Sequence, residues 1–141
     1  MATVKNYEEL LIWQKSMDFC DEVFKIINTT KLSTDFALRD QMNRSSISIP
    51  SNIAEGFDRE SNNQFSYFLK ISKGSAGELR TQLHIAKRRG YINEESFQKL
   101  YNDITHISKM ISSFLSYMRE NKRNSEVKEP EVEYQKLQPT N

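Results

Sequence analysis

The chain has 141 residues, 37% hydrophobic and 28% charged, with only 4 Gly and 3 Pro, which fits a single domain of long elements joined by few turns. Its formal net charge is +1, so no overall field draws it to nucleic acid or membrane. The balance is uneven, with 18 Lys and Arg against 15 Asp and Glu over residues 1–124, and 2 against 4 over 125–141. The single Cys20 excludes an intrachain disulfide framework or Cys-based metal cluster, and the lack of a signal-like opening or a spanning apolar run predicts a cytoplasmic, non-membrane protein.

The first helix is read from Tyr7 to Asn28. Leu10, Trp13, Met17, Cys20, Phe24 and Ile27 step by three or four along one face, with Val23 and Ile26 widening it. Cys20 reads as a small buried hydrophobe and Trp13 as a core or interface anchor. Ser33, Thr34 and Asp35 are good N-caps for a second helix. Its apolar line is Leu38, Met42, Ser45, Ile49 and Ile53, and it ends near Gly56, suited to a left-handed C-terminal turn. Pro50 inside this line removes one backbone bond and crowds the Ser46 carbonyl. It predicts a kink, with Ser45, Ser46 and Ser48 placed to bond the freed oxygen.

A third helix is read from Ser61 to Arg89, about 40 Å at ~1.5 Å per residue. Phe65, Phe68, Ser72, Ser75, Ala76, Leu79, Leu83 and Ala86 form its face. Its small middle residues, Ser72 and Gly74 to Gly77, let another helix or chain come close. Gly90 closes it. Asn93 caps a fourth helix, with Glu94 and Glu95 at the positive end of its dipole. Phe97, Leu100, Ile104, Ile107, Ile111, Phe114, Leu115 and Met118 make its core face. The reading is an all-α, antiparallel up-down four-helix bundle over residues 1–123. The polar stretch 124–141, with Pro130 and Pro139, reads as a disordered tail.

The segment SIPSNIAEG (48–56), with Gln41, Met42, Asn43 and Arg44 before it, resembles a known family. These are the four-helix-bundle proteins encoded in 23S rRNA intervening sequences, which include the accessory variability protein of diversity-generating retroelements. LIWQKSMDF (11–19), Gly56 with Arg59, FSYFLKISKGSAGELRTQL (65–83) and AKRRGYI (86–92) agree in order and spacing. The resemblance spans about residues 7–118. Asn43, Ser45 and Ser46 depart from it, standing where members commonly carry Arg or Ala. The resemblance implies a bundle assembled into a ring-like homopentamer, with no catalysis. For the retroelement branch it implies binding to nucleic acid and to a reverse transcriptase.

Two constellations are candidates for function. Gln41, Arg44, Ser48, Asn52 and Glu55 stack on one face of the second helix, with Glu78 and Thr81 of the third as partners. Arg44 with Glu78 is the preferred pair. This line reads either as a structural polar network or as a ligand or nucleic-acid site. On the third helix, Lys70, Lys73, Arg80, His84, Lys87 and Arg88 recur near helical spacing, with Arg89 beside them and Glu78 the one acid in the run. That stripe reads as an ordinary solvated face or as a phosphate-binding one, for RNA or DNA.

No enzymatic reading gains support. His84 and His106 lie on different helices without a Cys or carboxylate cluster at metal spacing. There is no Gly-rich phosphate loop, nucleophile elbow or Glu-x-x-His pair. Neither a catalytic residue, a metal nor a cofactor is expected. Phe57, Tyr67, Tyr91, Tyr101 and Tyr117 exceed what one small core absorbs, which predicts self-association through the second and third helices. The alternative is a protein-binding bundle with no nucleic-acid role.

Overall fold

The computed structural model describes residues 3–121 and 126–137. Among the described residues five helices follow one another: α1 (Leu11–Asn28), α2 (Phe36–Asp58), α3 (Asn62–Arg88), α4 (Glu94–Glu120) and the short α5 (Glu131–Gln135). Single 3-10 turns stand at Tyr7–Glu9 and Lys31–Thr34. The described residues form no strand beyond an isolated bridge between Thr3 and Lys128. None of the described helices is long and apolar enough to cross a membrane.

Side chains fix three of the helix starts. Asp35 accepts from the Leu38 N–H at 3.2 Å, Ser61 from Gln64 at 3.4 Å, and Asn93 from Ser96 at 2.8 Å, each occupying one of the N–H groups a helix start leaves unpaired. Gly90 turns the chain at φ +77° after α3. The Asp35 carboxylate also receives the Tyr91 hydroxyl at 2.9 Å and Arg89 Nη1 at 2.8 Å. The Tyr91 bond first, then the Leu38 N–H, hold its pKa below the usual range.

The helices run antiparallel. Ser45 meets Gln82, Ser48 meets Ser75, and Ile49 meets Ser72, so numbers fall along α3 as they rise along α2. Phe65 near the start of α3 packs edge-on against Phe114 near the end of α4, ring centres 5.4 Å apart. Leu79, Leu83, Ile104, Met110 and Ile111 fill the space between with no exposure.

On α1 the core face differs from the expected one. The buried line is Ile12, Ser16, Phe19, Val23 and Ile27, while Met17 and Phe24 are 39% and 65% exposed and Trp13 and Cys20 are half-buried. The helix carries two apolar lines at the same spacing, and only contact with α2 and α4 chooses between them. Ser16 sits in the core because its hydroxyl donates to the Ile12 carbonyl at 2.6 Å, which satisfies the buried group.

α2 also departs from the reading at two points. It continues through Gly56 to Asp58, so Gly56 is not its left-handed cap; the positive φ falls instead at Glu60, +57°. Gly56 is buried where α2 meets α3, and a Cβ there would stand 2.6 Å from the Phe68 Cβ. Absence of a side chain is what lets the backbones approach. Around Pro50, where a kink and not a break is expected, α2 runs on, and the second difference is the partner of the freed carbonyl. The Ser46 carbonyl, deprived of its partner by Pro50, accepts from the Cys20 thiol at 2.9 Å, and not from the neighbouring serines. Burial pushes that thiol up to about 11.

The expectation of a disordered tail fails over residues 126–137; 124, 125 and 138–141 lie outside the described residues. Val4 N–H donates to the Val127 carbonyl at 2.9 Å. Glu129 is 4% exposed and its carboxylate accepts from the Leu11 N–H at 2.5 Å and the Ile12 N–H at 2.9 Å. Tyr134, 4% exposed, donates its hydroxyl to the same carboxylate at 3.0 Å. The residue before α1 is Leu10, which offers no capping side chain, so Glu129 supplies the cap from the far end of the chain. Burial raises its pKa above the ordinary range, and the two N–H groups and Tyr134 oppose that shift.

Candidate nucleic-acid interface

α3 presents its basic residues on the side away from α2. Lys70, Lys73, His84 and Arg88 are exposed, and Arg80 and Lys87 are half-buried. At 3.6 residues per turn the six occupy about a third of the helix circumference, over a length of about 27 Å. They are not equivalent. Lys87 pairs with Glu94 at the start of α4, and its ammonium lies 4.6 Å above the Phe97 ring. That pairing holds Glu94 below the usual carboxylate range. His84 packs on Phe97 and Tyr101, with ring centres 4.9 and 5.3 Å away. Arg89 turns off the stripe to Asp35. Lys70, Lys73, Arg80 and Arg88 form no ion pair among the described residues.

The small residues of α3 divide between two surfaces. Ser72, Ser75 and Ala76 are buried against α2. Gly74 is exposed with nothing within 4 Å of a Cβ placed on it, and Gly77 lies under the Arg80 guanidinium, 3.9 Å from such a Cβ. The backbone at Gly74 is therefore open to close approach.

The polar line of α2 separates into pieces. Ser48, Asn52 and Ser75 form one cluster: the Asn52 amide donates to the Ser48 hydroxyl at 2.9 Å and its carbonyl at 2.8 Å, and the Ser75 hydroxyl donates to Ser48 at 2.8 Å. Gln41 and Arg44 are exposed. Arg44 does not pair with Glu78 among the described residues; the Glu78 carboxylate accepts instead from the Ser45 hydroxyl at 3.5 Å. Glu55 pairs with Arg59 one turn on, at 2.9 Å, and Thr81 donates to the Gly77 carbonyl at 3.4 Å. Besides the Ser75–Ser48 and Ser45–Glu78 bonds, two more across the seam escaped the sequence reading. Gln82 donates to Ser45 at 3.1 Å, and Ser72 to the Ile49 carbonyl at 2.9 Å. Their signal was present: Ser45 and Ser72 interrupt otherwise apolar lines.

His106 lies apart from His84, in a cleft between α1 and α4 lined by Lys15, Asp18, Glu22, Lys99 and Asp103. Burial, then Lys15 and Lys109, lower its pKa. No three His, Cys, Asp or Glu among the described residues stand together as a metal site would require.

Of the five aromatics expected at the surface, Tyr67 is 61% exposed, while Phe57, Tyr91, Tyr101 and Tyr117 are half-buried against the core. The larger exposed apolar face is on α1 and α2. Trp13, Met17 and Cys20 of α1 face Ile47, Pro50 and Ala54 of α2 across a groove of about 330 Å³. Phe24 and Phe36, each 65% exposed, stand on the same two helices.

Residues 8–113 match the family model described as 23S rRNA-intervening sequence protein. A crystal structure at 1.70 Å of a protein with unknown function, from the S23 ribosomal protein family of Bacteroides thetaiotaomicron VPI-5482, superposes with a TM-score of 0.68 at 28% identity. The alignment covers 74% of this chain and 98% of that one. No curated protein matches. The family match ends at residue 113, before the segment that carries Glu129 and α5. With three quarters of its length matched, this chain belongs to the 23S rRNA-intervening sequence protein family.

Proposed function

We propose that the protein is a non-catalytic, self-associating helical scaffold that holds nucleic acid along α3. The observation that carries this reading is the run from Lys70 to Arg89. It sets six Lys and Arg against Glu78 alone, and Lys70, Lys73, Arg80 and Arg88 are left without an ion-pair partner among the described residues. Each such cation can displace a counterion from a phosphate, so affinity should fall steeply with salt. In a gel-shift titration against salt, the triple variant Lys73→Glu, Arg80→Glu, Arg88→Glu should bind weakly, with a log–log slope lower by about 2 to 3. Equal binding by variant and parent removes the reading. Lys87 is left in place because it secures α3 to α4 through Glu94.

Self-association is favoured by the α1–α2 groove, since contiguous exposed apolar surface of this kind marks a contact between chains. This moves the expected contact from α2 and α3 to α1 and α2. A ring of five copies, the form the family resemblance implies, needs a head-to-tail contact of two different faces, which leaves a basic stripe on every copy. Met17→Lys with Phe24→Lys should shift the light-scattering mass to that of one chain. Retention of the larger mass would place the contact elsewhere. A reverse transcriptase remains the partner implied for the retroelement branch, and a protein-only scaffold is the reading left standing if nucleic acid does not bind.

A further inference from the structure

At one end of the basic stripe residues of α3 and α4 line a cavity of about 510 Å³. Its wall combines four kinds of group. Leu115 and Met118 are apolar; Tyr67 brings an aromatic ring; Asn62, Asn63 and Ser66 bring amides and a hydroxyl; Lys70 and Arg119 bring two positive charges. Among the described residues no acidic side chain lines it. Tyr67 is 61% exposed, and its ring meets that of Phe68 with centres 5.3 Å apart and planes at 83°. The contact with Phe68 positions a side chain that otherwise stays open to a ligand. Lys70 and Arg119 make no ion pair among the described residues, and Lys70 is also the first cation of the stripe.

We infer that this cavity takes one unpaired nucleotide of a single strand, its base stacked on Tyr67 and a flanking phosphate held by Lys70 and Arg119. An aromatic face accepts any base, and amides can meet the polar edge of a base that is not already paired. A paired base presents no free face, so the cavity discriminates single strand from duplex. The stripe, meeting only phosphates, makes no contact with a single strand that a duplex cannot also make. This inference rests on the reading of α3 as a nucleic-acid surface and adds to it a preference and a register: the strand is anchored at Tyr67 and runs toward Arg88.

The test is fluorescence anisotropy of the full chain with a labelled single-stranded oligonucleotide and with its duplex. Three variants are compared: Tyr67→Ala, the pair Lys70→Ala with Arg119→Ala, and the pair Arg80→Ala with Arg88→Ala. The cavity predicts that Tyr67→Ala weakens single-strand binding about tenfold and leaves duplex binding unchanged. Lys70→Ala with Arg119→Ala should lower the single-strand salt slope by about 0.7 to 1.4. Ultraviolet crosslinking of the parent to a photoreactive oligonucleotide, mapped by mass spectrometry, should mark the peptide holding Tyr67. If Tyr67→Ala binds both forms like the parent while Arg80→Ala with Arg88→Ala weakens both, the stripe stands and the cavity is refuted. If the parent binds neither form, both fail together. Tyr67 is largely in solvent, and circular dichroism of each variant identifies any loss that comes from misfolding.

Discussion

Along α2 and α3, Gly56, Ser72, Ser75 and Ala76 keep side chains short where the helices meet, and Ser45, Ser48 and Gln82 link them by hydrogen bonds. Along α1 and α4, long charged side chains stand at the join. Lys99 reaches Glu22 of α1 at 3.5 Å across a cleft of about 250 Å³, and Asp103, one turn along α4, at 3.4 Å. The first seam is held by close packing, which tolerates little change in volume. The second adds to its buried residues a rim of solvated charges, whose individual contributions are small. The polypeptide compensates on that side with its last described segment, for Glu129 caps α1 and α5 rests against α4.

That contrast can be broken most forcefully at Gly56. Gly56→Leu adds a branched side chain where even a Cβ would come within 2.6 Å of Phe68, and should cost about 3 kcal/mol by overpacking, read as a lower urea midpoint. A variant as stable as the parent would mean the seam can open at no cost. Glu129→Ala comes next, at about 2 kcal/mol, because it uncaps α1 and removes the partner of two N–H groups and the Tyr134 hydroxyl. Amide exchange at Leu11 and Ile12 should speed up with it, and unchanged rates would show that the cap is not supporting the helix. Ser72→Ala should cost about 1 kcal/mol, the value of one hydrogen bond to the Ile49 carbonyl. The smallest effect is expected of Lys99→Met, about 0.5 kcal/mol or less, since its ion pairs lie in water. A loss from Lys99→Met larger than that from Ser72→Ala would reverse the ranking of the two seams.

The four long helices were legible because their signals are local. Periodic apolar residues mark the bodies, and Asp35, Ser61 and Asn93 mark the starts. What was not legible depended on partners distant in sequence. Both apolar lines of α1 have helical spacing, so periodicity cannot tell Phe19 in the core from Phe24 in solvent. Polar composition concealed the docked tail, because Glu129 is buried only by virtue of N–H groups more than a hundred residues earlier. The basic stripe was readable from spacing, but not that Lys87 and His84 are engaged by α4. The cavity at Tyr67 was not readable either, because Leu115, Met118 and Arg119 of its lining come from α4.

Glu129 also bears on how the molecule is made. The amides of Leu11 and Ile12 wait 118 and 117 residues for their acceptor, so the leading helix emerges during translation with a ragged first turn that is completed only after residue 129 has been added. A nascent chain stalled before that point would offer proteases a softer entry than the finished molecule does.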